Sequence, residues 1–306
     1  MMKHKIIVLV LLFLSSLSTE DNMTVLDKYH DNLCHVLVDT SNRIDNYFIE
    51  ENCTETSTTS AEIINSFAIE NRLGLEKDLR LRLRLSLPKI QKNLRLVFED
   101  ETNDNSMYDS TKLTNQHIDE KRYYLRLEYL KFVKESLNVV FASGVRIRNS
   151  HLIPYANVRS SYDLYKKKKV ESKLSNRLRY YTDGEVEDVF EFDTKYDVSD
   201  SVDFYWRNQL SYSNDEEFQT LINDVTWIKN LNVKEEVGAG VGLVSNLSNF
   251  KTLDTDYIHL HATFHHTFYK DWIYYQVAPS ILWRASNDFK TSYRYMMNFG
   301  FLFNTD

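Results

Sequence analysis

Two stretches place chemistry-bearing side chains at a spacing of two. Residues 79–87 read LRLRLRLSL, so Arg80, Arg82 and Arg84 share one face of an extended chain and the leucines share the other. The stretch YIHLHATFHHTFY puts His259, His261 and His265 on one face in the same way. Guanidinium groups in a row recognise carboxylates or phosphates through their planar fork of donors, with no chemical step. Imidazoles in a row titrate near neutral pH or ligate a metal, but here no carboxylate or cysteine at a recognised metal spacing accompanies them. Ordinary polar histidines are therefore expected, with no metal site and no cofactor. Catalytic signatures are missing: there is no G-x-S-x-G, no H-E-x-x-H and no glycine-rich phosphate loop. Gly238, Gly240 and Gly242 alternate in EVGAGVGLV, which reads as room made on one face of a strand.

An environment that wants oil on one face of a strand and charge on the other must position these residues. The same period of two runs from Ser66 almost to the end of the chain. Candidate strands are 66–75, 79–87, 93–100, 121–132, 136–148, 153–165, 169–182, 187–198, 201–213, 219–229, 231–245, 256–268, 272–285 and 291–303, with a tight turn at Glu76-Lys77-Asp78 in the first hairpin. Their connections alternate between tight ones such as VKES, KKKK and SD and generally longer polar ones, notably 101–120. Fourteen stripes of large apolar residues would overfill one soluble core, whereas lipid accepts any number of them. Composition agrees: 20 Tyr and 17 Phe against seven Gly and three Pro favour strands. The reading is an antiparallel up-and-down transmembrane β-barrel of about fourteen strands, with twelve as the alternative.

The ends differ. MMKHKIIVLVLLFLSSLSTED has a basic start, an apolar run from Ile6 to Leu14, and Ser16 and Ser18 at the positions of a cleavage site, so residues 1–18 read as a cleaved secretory signal. Residues 23–52 switch to spacings of three and four (Val25, Leu26, Tyr29, Leu33, Val36, Leu37, Ile44), the mark of an amphipathic helix. ETSTTSAE, 55–62, reads as a linker, which makes 19–62 a periplasmic helical segment and 63–306 the barrel. The helix either packs beside the barrel mouth or plugs it. In an exported chain the only two cysteines, Cys34 and Cys53, are candidates for a disulfide.

The last strand, SYRYMMNFGFLFNTD, carries Tyr293, Tyr295, Met297, Phe299, Phe301 and Phe303 on one face. It resembles the aromatic C-terminal strand of bacterial outer-membrane β-barrel proteins, although Asn304, Thr305 and Asp306 follow the final aromatic. The resemblance covers about residues 66–303 and implies a Gram-negative outer membrane, lipid as surroundings, and engagement of the barrel-assembly machinery through that strand. It singles out no porin, transporter or enzyme family.

With leucines to lipid, the lumen receives a basic wall of Arg80, Arg82, Arg84, Arg95, Arg126, Arg146, Arg148, Arg159, Arg177 and Arg179. A more acidic side follows with Glu191, Asp193, Asp197, Asp203 and Asp224. Such walls orient dipolar solutes and select among ions, or else pair across the lumen and fill it. The leading expectation is porin-like passive passage of small hydrophilic, possibly anionic, solutes. The alternatives are a non-conducting structural or assembly-related barrel and, third, an outer-membrane lipid-modifying hydrolase. The net charge of −7 gives no sign of a nucleic-acid partner.

Overall fold

The structure, a computed structural model, describes residues 20–48, 59–71, 74–87, 94–100, 123–148, 151–216, 218–248 and 251–304. Among these, one helix, α1 (Glu20–Phe48), precedes fourteen strands. The strands are β1 (Ser60–Glu70), β2 (Gly74–Ser86), β3 (Arg95–Asp100), β4 (Tyr123–Lys134), β5 (Leu137–Arg148), β6 (His151–Lys167) and β7 (Val170–Tyr181). They continue as β8 (Val186–Ser199), β9 (Val202–Ser213), β10 (Phe218–Asn230), β11 (Glu235–Ser248), β12 (Thr252–Tyr269), β13 (Ile273–Arg284) and β14 (Thr291–Asn304). Each pairs antiparallel with its sequence neighbours, and β1 pairs with β14 to close the barrel. Closure leaves no edge with unpaired backbone, which is the condition for a sheet to sit in hydrocarbon. Fourteen strands, not twelve, are therefore found.

Alternation decides which face meets what. Phe67, Leu79, Leu81, Phe190, Trp206, Leu260, Tyr293 and Tyr295 point outward and are exposed, as a lipid-facing belt requires. Their neighbours Ser66, Arg80, Arg82, Arg207, His259 and Arg294 point inward. Among the described residues no helix is long and apolar enough to cross a membrane; the lipid-facing surface is that of the strands.

The first hairpin differs from the sequence reading. β1 begins at Ser60, inside the expected linker, and the hairpin connection falls between Glu70 and Gly74 instead of at Glu76-Lys77-Asp78. Gly74 takes φ +92°, a conformation open to glycine at little cost, and that is where β2 starts. Glu76 and Asp78 belong to the alternation after all: they face the lumen, Glu76 2.7 Å from Arg294 and Asp78 3.6 Å from Arg80. A polar triplet was a weaker turn signal than one glycine.

Helix α1 lies at the barrel end where β1 starts and β14 finishes. Its His30 ring stacks on Trp272 and on Phe303, with centroids 4.4 and 5.3 Å away. Asp27 pairs with Lys270 at 2.7 Å, and Ser41 Oγ donates to the Ser86 carbonyl at 2.5 Å. The hydrogen bond from Lys270 holds the Asp27 carboxyl below its usual range. These contacts run along the rim from the β12–β13 turn to the end of β2. They fit a helix packed beside the mouth. Trp272 is buried beneath α1. Phe303, on the outward parity of β14, is buried too, whereas Tyr293 and Tyr295 on the same face are open. Cys34 sits half-buried on this helix, and burial raises its thiol pKa. Cys53, the signal segment and the long connection 101–120 lie outside the described residues.

Candidate functional site in the barrel lumen

The lumen has two unlike zones. At the end away from α1, charged side chains form a dry collar. Arg146 on β5 and Arg179 on β7 are 0% exposed. Arg146 reaches Glu185 at 2.5 Å, Asp183 at 3.3 Å and Glu187 at 3.6 Å; Arg179 reaches Glu187 at 3.1 Å. The Tyr181 hydroxyl donates to Glu187 at 2.6 Å. The Arg146 guanidinium lies 3.9 Å over the Tyr181 ring and that of Arg179 4.8 Å over Tyr124, with Tyr155 packed between the two tyrosines. Guanidinium tolerates this burial because it is weakly hydrated, stacks on aromatic faces and meets carboxylates through a fork of donors. Across the lumen Glu70 binds both Arg284 and Arg294. Beside them Ile222, Val244, Tyr257 and Leu282 form an apolar cluster that points inward.

Toward the α1 end the lumen wall is charged and half-exposed. The Arg82 side chain is 36% exposed and 3.2 Å from Glu62; that of Lys195 is 33% exposed and bridges Asp197 at 2.9 Å and Asp203 at 3.2 Å. Arg207 meets Asp193 at 3.0 Å. In the wall of this vestibule, on β5–β8, a cavity of about 180 Å³ is lined by Asn138, Arg159, Ser161, Lys173, Arg177 and Glu191. Three cationic side chains against one carboxylate give it a positive balance.

The expected basic wall is thus divided. Arg146 and Arg179 sit in the collar, Arg159 and Arg177 at the cavity, and Arg80, Arg82 and Arg84 in the vestibule. Arg126 is buried and pairs with Glu128 at 2.9 Å. Arg95, cross-strand to Ser86, is exposed at the α1 end. Arg148 has the lumen parity of β5, but its side chain lies outside the described residues. Of the acids, Asp193, Asp197 and Asp203 are engaged within their own sector by Arg207 and Lys195, Glu191 lines the cavity, and Asp224 faces His259 and His261. His265 stands apart from that group, with its Nε2 3.3 Å from Thr267 Oγ1.

Sequence reasoning missed Glu185 and Asp183, which lie in the turn YTDGEV between β7 and β8. It also missed the three collar tyrosines; Tyr124 two residues before Arg126 and Tyr181 two after Arg179 were the available signal, and Tyr155 on β6 offered none of that kind.

No known family's sequence profile matches the chain, and no curated protein is similar to it at a significant level. Solved barrels share the overall form only loosely. A bacterial polysaccharide outer membrane secretin is 10% identical with a TM-score of 0.47, over 79% of this chain and 97% of that one. OmpT, an outer membrane protein of Vibrio cholerae, is 8% identical at TM-score 0.46, over 83% and 99%. A KdgM porin in complex with disordered oligogalacturonate is 9% identical at TM-score 0.38, over 78% and 98%. Likeness this slight brings no role across.

Proposed function

We propose that this chain is a porin-like barrel of the bacterial outer membrane, with its α1 end in the periplasm, passing small hydrophilic and preferentially anionic solutes by passive diffusion. The observation that carries the reading is the cavity lined by Arg159, Lys173 and Arg177, with a single carboxylate, Glu191, among them. A solute entering the vestibule meets Arg80, Arg82 and Arg84 as a wet electrostatic ladder, which raises the local anion concentration without a tight complex. At the cavity three cations replace part of its hydration shell; the single carboxylate of Glu191 limits residence so that the solute can leave. The buried ion pairs of the collar set the size limit. The aromatic strand β14, which closes the barrel against β1, is the segment offered to the assembly machinery.

The test is single-channel conductance of the refolded protein in planar bilayers with reversal potentials under a salt gradient. Small discrete steps with anion preference are expected. A correctly folded but silent barrel would overturn the channel reading. It would favour the second one, an occluded structural barrel, for which the fully buried collar is the specific support.

A further inference from the structure

Three strands bring together a group that neither the arginine wall nor passive passage uses. Asp224 on β10, Gly242 on β11 and His259 on β12 lie in one straight row across the sheet. His261 is the next lumen-facing residue along β12, cross-strand to Gly240. A side chain at Gly242 would strike the His259 ring and stand 2.9 Å from Asp224 Oδ2; one at Gly240 would stand 2.6 Å from the His261 ring. The two glycines leave a shallow trough over β11, and both imidazoles lie across it toward β10. His259 Nε2 is 3.6 Å, and His261 Nδ1 4.0 Å, from Asp224 Oδ2.

From this geometry we infer that Asp224, His259 and His261 form a divalent metal site in the lumen wall, selective for a borderline ion of the zinc, cobalt or nickel type. Two imidazole nitrogens and one carboxylate oxygen are the donor set such ions prefer, whereas calcium and magnesium ask for oxygen alone. The histidine side chains are 0% and 1% exposed and that of Asp224 18%, so the remaining coordination positions open only to the lumen. The outer partners are in place. Thr226 donates to Asp224 Oδ1 at 2.6 Å, and its hydroxyl is 3.3 Å from His261 Nε2, which leaves Nδ1 turned to Asp224 Oδ2. Neither of those two facing atoms has a hydrogen-bond partner within the protein. Arg207, cross-strand to Asp224 on β9, is engaged by Asp193 at 3.0 Å. The donor atoms lie within 4.8 Å of one another. Tetrahedral zinc with bonds of about 2.1 Å needs donors roughly 3.4 Å apart, so binding draws the rings inward by about 1 Å. The site goes beyond the channel reading and does not depend on it.

The experiment is cobalt(II) titration of the refolded, chelator-treated protein, read by visible d–d absorption and followed by displacement with zinc(II). One cobalt per chain is expected, with the signal lost in Asp224→Asn and His259→Gln and kept in His265→Gln. Folding of each variant is checked by heat-dependent gel mobility. Zinc-edge X-ray absorption of the wild-type protein gives a measurement that needs no variant and is expected to show two imidazoles in the first shell. No cobalt band, a band unchanged in the folded variants, or a zinc shell without imidazole scattering would each overturn the site and leave an internal Asp–His contact.

Discussion

The collar and the vestibule use the same side chains, arginine against carboxylate on neighbouring strands, in opposite ways. Arg179 and Glu187 meet at 3.1 Å with the arginine side chain fully buried; Arg207 and Asp193 meet at 3.0 Å with each side chain a little over a quarter exposed. Equal distances do not mean equal energies. A buried pair must replace hydration with aromatic faces and several donors, so its members become mutually dependent. A wet pair shares its donors and acceptors with solvent and binds its members less tightly to one another.

The sharpest way to separate the two zones is to remove one acid from each. Glu187→Gln strands a buried guanidinium and is expected to destabilise the barrel by about 3–5 kcal/mol, seen as a lower urea midpoint for the loss of the heat-modifiable band. An unchanged midpoint would show that the collar is wetter than its burial implies. Replacing Arg80, Arg82 and Arg84 together with Ser is expected to move the reversal potential toward cation preference while leaving the midpoint close to wild type; unaltered selectivity would remove the vestibule from the mechanism. Asp193→Asn, the wet counterpart of the collar change, is expected to cost less than about 1 kcal/mol. If it matched Glu187→Gln, the contrast between zones would fail.

The smallest effect concerns α1. Its Asp27 carboxyl is held below its ordinary value of ~3.9 by Lys270. The docking it contributes is therefore present above that ordinary value and is lost as pH falls through the lower, folded one. Protease protection of α1 is expected to decline only below about pH 4, with conductance steps unchanged because the helix packs along the rim. Larger steps on acidification would mean that it blocks the lumen.

Much of this architecture was written in local pattern. A period of two over some 240 residues, with leucine outside and arginine inside, dictates strands, their two faces and a lipid surround, because each follows from residue i and its nearest neighbours. The inward parity of Arg80, Arg82, Arg146 and Arg179 follows from the same alternation. The first hairpin was misplaced because a charged triplet can serve as turn or as lumen face, and only the pairing of Glu76 with Arg294, 218 residues away, distinguishes them.

Partnership itself was beyond reach of the chain read alone. Alternation tells which wall a side chain faces, but not the height at which the barrel's tilt and stagger place it or what stands opposite. Hence the split of one arginine wall into collar, cavity and vestibule, the burial of Tyr181 against Arg146, and the meeting of Asp224 with His259 across a glycine trough were decided by the tertiary structure. The sequence by itself determined the barrel and its two faces, because they depend on side-chain direction; the chemistry inside depends on registration between strands, which exists only once the barrel closes.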